Sequence, residues 1–223
     1  TFIPIAENTG LMVPLGKKVL HLAFNQFRNW LDTMPEMQNL FLCLNLSVHQ
    51  LLHSDIVADI QEISQQSGMP LENIDLEITE SVFIDEAMYA SSIIEKFKDK
   101  GMHISIDDFG TGYSSLRYLD QFHIDLIKID KDLVQKITTQ ETSMYIVESM
   151  LSLNKKLGIQ VVAEGIEEEE QLKTLQKMNC HLGQGFLFSW PLSPQEIEHY
   201  FSQGFSSCLN YDPSVKQCPD QVS

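Results

Sequence analysis

The chain has no apolar run approaching the ~20 residues of a membrane span, and nothing near Thr1 has the form of a signal peptide. Basic residues are scarce: 15 Lys plus Arg face 31 Asp plus Glu, for a net charge of −16. A general nucleic-acid binder needs a basic surface, so no DNA partner is expected. Cysteine is scarce too. Cys43 lies inside an apolar run, Cys180 precedes another, and Cys208 and Cys218 sit in the last stretch. No CxxC spacing occurs, which argues against zinc and for a reducing, cytoplasmic compartment. A Cys208–Cys218 bridge is left open by this spacing. An anionic small molecule remains compatible with so acidic a protein if metal ions bridge it to carboxylates.

What is present is ordinary globular material: 43% hydrophobic and 21% charged residues in a chain of 223. That length suits one large domain or two small ones. Pro14 opens an amphipathic helix with Leu15, Val19, Leu22, Ala23, Phe27 and Trp30 near the 3.6 period. Short apolar strands then alternate with helices. The strands are expected at Phe41–Leu44, Ile74–Thr79, His103–Ile106, Ile124–Asp130, Ile159–Ala163 and Leu182–Phe188. The intervening helices stop at Gly68, Gly101 and Gly158. Strand-helix alternation implies a parallel sheet with helical crossovers, and strands read as apolar throughout imply burial on both faces. A closed β/α barrel fits, and such barrels carry their chemistry at the C-terminal strand ends. Residues 1–204 make up this domain; 205–223 form an irregular tail.

The strand ends hold Asn45, Glu77, Asp107 with Asp108, Lys128, Glu164 and Gln184. Polar groups inside apolar runs cost roughly 2–7 kcal/mol unless partnered. Asp107-Asp108 is the focus of the chain. By itself the pair has two readings, a helix cap beside a turn or a divalent-metal site. The other strand ends favour the metal. Glu168, Glu169 and Glu170, by contrast, read as dipole partners in the first turn of a helix.

Six segments carry a family resemblance: Asn45-Leu46-Ser47, Leu76 to Glu80, Asp107 to Leu116, Lys128-Ile129-Asp130, Ala163 to Glu167, and Gln184-Gly185. Together with Phe2 to Glu7 they closely resemble the EAL-domain family, over Thr1 to about Phe201. The resemblance implies a bacterial cyclic-di-GMP phosphodiesterase that opens one phosphodiester bond to give linear pGpG. It also implies a modified, TIM-like β/α barrel and a two-metal site using Mg²⁺ or Mn²⁺. By position, Asn45, Glu77, Asp107, Asp108 and Glu164 resemble the metal ligands, with Asp107 bridging. Lys128 resembles the residue that contacts the attacking water, and a lysine beside two cations is expected to have a lowered pKa. Gln184 and Asp130 resemble supporting members of the site. Glu80 resembles the glutamate that holds the loop after Asp108, and Glu167 an acid outside the ligand set. Gly165 and Pro4 fall in segments matching the family's substrate-binding surface. Phe186 and Trp190 suit either guanine stacking or core packing.

One departure stands out. The Glu-Ala-Leu motif of the family belongs before Phe2, along with about two strands of the barrel. The absence of an initiator Met and the open edges left by missing strands predict a fragment of a longer protein. The resemblance further implies a homodimer, formed partly through the segment after Asp108, and an upstream sensor or cyclase domain. The resemblance leaves two other functions open: a receptor that binds cyclic-di-GMP without hydrolysis, and a protein-interaction scaffold.

Overall fold

A computed structural model describes residues 2–85, 87–110, 119 and 122–202, apart from the side chains of Pro4, Glu7, Asn8, His53 and residues 83–89. The expected tail at 205–223 and most of the segment after Asp108 lie outside the described residues, as does the side chain of Pro4.

Six strands form one parallel sheet in strict sequence order: β1 (Leu42–Leu46), β2 (Ile74–Thr79), β3 (His103–Phe109), β4 (Leu126–Ile129), β5 (Gln160–Ala163) and β6 (Leu182–Gly183). Consecutive parallel neighbours with helical crossovers are the β/α barrel arrangement, and among the described residues the sheet does not close. The strands β1 and β6 are its two edges among the described residues. The helices are α1 (Ile3–Asn8), α2 (Met12–Thr33), α3 (Val48–His53), α4 (Ile56–Ser67), α5 (Glu80–Asp85), α6 (Ala87–Lys98), α7 (Lys131–Val134), α8 (Glu141–Leu157), α9 (Glu169–Lys177) and α10 (Pro194–Ser202).

Local chemistry accounts for the crossovers. Asp55 caps α4 by accepting from the Ala58 N–H at 3.2 Å, and Gly68 ends it in the left-handed region at φ 70°. Glu168 and Gln171 form a reciprocal capping box at the start of α9. Leu20, Phe24 and Phe27 of α2, Ile60 and Ile63 of α4, and Ile94 and Phe97 of α6 are buried against the outer face of the sheet. That face supplies Leu44, Leu46, Ile74, Leu76, Ile78, Ile104, Ile106, Ile127 and Ile129.

The expectation that the strands are apolar throughout is corrected by the inner face. Residues there alternate with the apolar set at period 2. They are Asp75 and Glu77 on β2, Ser105 and Asp107 on β3, and Lys128 on β4, and Asp75, Glu77, Ser105 and Lys128 are buried. They are buried yet satisfied by one another. Ser105 Oγ lies 2.7 and 2.6 Å from the two Asp75 carboxylate oxygens. The last strand is also shorter than expected. It stops at Gly183 because the Gly185 backbone turns against Ile166: a Cβ at Gly185 would lie 2.1 Å from the Ile166 carbonyl oxygen.

Candidate active site

Three strands bring carboxylates to one lysine. Lys128, on β4, lies 2.9 Å from Glu77 Oε2, 3.2 Å from Asp107 Oδ1 and 2.7 Å from Glu164 Oε1. Its side chain is only 7% exposed, as is that of Glu77, so these contacts are shielded from bulk water. Glu164 follows the end of β5, and its N–H is held by the Ile129 carbonyl at 3.1 Å.

Asp107 and Asp108 are adjacent in sequence, and a regular strand would send them to opposite faces. The pairing of β3 with β4 shifts register between Ile106 and Phe109, and Asp108 takes a positive φ of 54°. This bulge re-aims the second side chain. As a result, oxygens of Asp107, Asp108 and Glu164 lie within 4.8 Å of one another.

The electrostatics are those of crowded anions. Burial raises the carboxyls of Glu77, Glu164 and Asp108 above the ordinary carboxylate range. Asp107 raises each further, while Lys128 opposes the rise. For Lys128, burial would lower the ammonium, but Glu164 and Glu77 outweigh it and hold it above the usual lysine value. The lowering expected beside two cations is therefore not the direction these carboxylates impose by themselves.

A hard divalent cation fits this donor set. The oxygens are carboxylate, several anions share one small volume, and buried Asp107 Oδ1 has no partner in the described residues beyond its ion pair with Lys128. Asn45 stands beside Glu77 in the β1–β2 register, with its side chain exposed.

The remaining predicted residues have the following surroundings. Glu80, 5% exposed at the start of α5, accepts from the Gly110 N–H at 3.1 Å, so it grips the first peptide after the bulge. Asp130 is buried and caps α7 by accepting from the Asp132 N–H at 2.8 Å, and its proximity also raises Asp108. Gly165 adopts a φ of +67°, and a Cβ there would meet Lys131 Cβ at 2.4 Å. Gln184 is exposed, its backbone bonded to Ala163 and Ile166. Glu167 is exposed and accepts from Gln135 Nε2 at 3.2 Å on the surface. Phe186 is 41% exposed and stacks on Trp190 at 4.0 Å between ring centroids, which rules out core packing for this pair. Sequence reasoning missed the Asp75–Ser105 pair beneath the site, although the alternation Ile74-Asp75-Leu76-Glu77-Ile78 carried the signal.

A parallel β/α sheet with a carboxylate–lysine cluster at its C-terminal strand ends puts the candidate site where β/α barrels carry their chemistry. The chain belongs to the EAL domain family, whose pattern matches residues 1–191. The cyclic di-GMP phosphodiesterase PdeR of Escherichia coli is 36% identical over 202 residues, which cover 91% of this chain and 30% of that protein. The solved phosphodiesterase PaMucR, in complex with cyclic di-GMP, is 35% identical with a TM-score of 0.84, covering 88% of this chain and 78% of that one. BlrP1 of Klebsiella pneumoniae, solved as a manganese/cyclic-di-GMP complex, is 32% identical with a TM-score of 0.72, covering 80% of this chain and 45% of that one. The chain spans about a quarter to a third of the length of the curated relatives it matches.

Proposed function

We propose that this chain is the catalytic domain of a cyclic-di-GMP phosphodiesterase, opening one phosphodiester bond to give linear pGpG with Mg²⁺ or Mn²⁺. The observation that carries the reading is the convergence of Glu77, Asp107 and Glu164 on Lys128, with Asp108 brought alongside by the bulge. The similarity to named cyclic di-GMP phosphodiesterases supports the substrate.

Asn45, Glu77, Asp107, Asp108 and Glu164 would hold the ions, with Asp107 shared between them. Bound metal would supply a nucleophilic hydroxide near neutral pH and neutralise charge on the attacking and leaving oxygens. The protein's own groups do the rest. Lys128 presents an ammonium that can donate to the attacking water and attract the anionic phosphodiester. Without metal, its short contacts to Glu77 and Glu164 keep it in the site. Glu80 holds the Gly110 peptide and so keeps the Asp107–Asp108 bulge in place. Asp130 and Gln184 frame the site, with Glu167 further out, and Gly165 lets the backbone pass close to α7. The exposed Phe186–Trp190 stack offers a flat surface for a guanine; Pro4 is assigned to substrate binding by its place in the family segment Phe2 to Glu7 alone.

The homodimer and an upstream sensor or cyclase domain belong to this proposal, as does placement in the bacterial cytoplasm or in the cytoplasmic part of a larger protein. No helix among the described residues is long and apolar enough to cross a membrane. The test is product analysis. Full-length protein with Mn²⁺ converts cyclic-di-GMP to pGpG, and Asp107→Asn removes that activity. Tight binding without turnover by the unsubstituted protein would replace this reading with a receptor, and no binding at all would leave the scaffold.

A further inference from the structure

Lys128 and a divalent cation need the same oxygens. The ammonium takes Glu77 Oε2 at 2.9 Å, Asp107 Oδ1 at 3.2 Å and Glu164 Oε1 at 2.7 Å, each from a residue of the candidate ligand set. Asp108 shares that set, its oxygens within 4.8 Å of those of Asp107 and Glu164. Lys131 and Lys136 are exposed, and Lys17, Lys98 and Lys173 pair elsewhere, with Asp59, Asp125 and Glu169. Among the described residues, the carboxylates are thus gathered around one internal positive charge.

We propose that Lys128 acts as an internal counter-ion in competition with the metal. It keeps the mutually repelling carboxylates assembled, and it must yield Glu77, Asp107 and Glu164 before a cation can take them. The proposal rests on the metal reading above. Two like charges seeking one set of oxygens repel, and in a shielded site the repulsion is several-fold stronger than in water. A lysine can give way because its ammonium sits on a flexible four-carbon stem. The competition makes the site selective. A monovalent ion gains too little from the carboxylates to displace the ammonium, whereas a divalent ion gains about twice as much from each contact.

The test titrates Mn²⁺ alone into full-length protein and into its Lys128→Met and Lys128→Arg variants, following free Mn²⁺ by electron paramagnetic resonance. Lys128→Met is expected to bind Mn²⁺ more tightly, by roughly tenfold at low salt. Lys128→Arg, which keeps the charge, is expected to show no such gain. Weaker or unchanged binding by Lys128→Met overturns the counter-ion role while leaving the metal site standing. No Mn²⁺ binding by the unsubstituted protein overturns both. Because Lys128→Met leaves three carboxylates facing one another and can fail to fold, a second measurement uses the unsubstituted protein. Mg²⁺ must shift the Lys128 Nζ resonance in a nitrogen-15 spectrum, and a resonance unmoved at Mg²⁺ saturation overturns the proposal.

Discussion

Glu80 touches no candidate substrate atom, yet its position makes it informative. One oxygen accepts from Gly110, and the other is buried with no hydrogen-bond partner among the described residues. Outer partners that orient metal ligands typically contribute 10- to 100-fold to activity. Glu80→Ala should therefore lower metal-dependent turnover by roughly that factor with a much smaller change in melting temperature. Steady-state kinetics beside a thermal melt checks this, and an unchanged rate would count against the role. That Asp107, Glu164 and Lys128 would be partnered was legible because a charged residue ending an apolar strand needs a partner. The bulge was not legible. Nothing in Ile106-Asp107-Asp108-Phe109 states that Asp108 turns to a positive φ, since Asp adopts that region only when its surroundings impose it.

The strands differ in how plainly the sequence declared them. The limits of β2 match the expectation residue for residue, because Ile74 to Thr79 alternates cleanly and is bounded by Asn73 and Glu80. Its two-faced character was obscured by counting Ile and Leu without their phase. At the other extreme, β6 keeps two residues of an expected seven-residue strand. The cause is long-range: the Ile166 backbone occupies the space beside Gly185, and Leu187 N–H bonds to the Ile166 carbonyl at 3.0 Å. Gly185→Ala would place a Cβ 2.1 Å from that oxygen and 2.3 Å from the Ile166 nitrogen. Backbone cannot move aside as a side chain does. The substitution should destabilise the protein by about 3 kcal/mol, the upper end of ordinary overpacking penalties, measurable as a lower urea midpoint. A midpoint within error of the unsubstituted protein would contradict the packing described for this turn.

At the scale of the whole molecule, the parallel sheet with helical crossovers was expected from strand-helix alternation, and its six described strands follow one another in sequence order. The polar interior sets how the protein should respond to metal. Buried carboxylates pushed up by desolvation and mutual repulsion are relieved by a divalent cation, so binding to the folded state stabilises it. Mn²⁺ at a hundred times its Kd should add about 2.7 kcal/mol, seen as a rise in melting temperature that a chelator reverses. Asp107→Asn should blunt that rise, because it withdraws the proposed bridging carboxylate; a full rise in the variant would place the metal elsewhere.

The claim that the carboxylate–lysine cluster is a metal-dependent phosphodiesterase centre is tested most directly by metal dependence of turnover. Full-length protein stripped by a chelator is given cyclic-di-GMP, and pGpG is quantified before and after Mn²⁺ is restored. The structure predicts no pGpG from the stripped protein and sustained production once Mn²⁺ returns. Equal production with and without metal, or none under either condition while cyclic-di-GMP still binds, would contradict it.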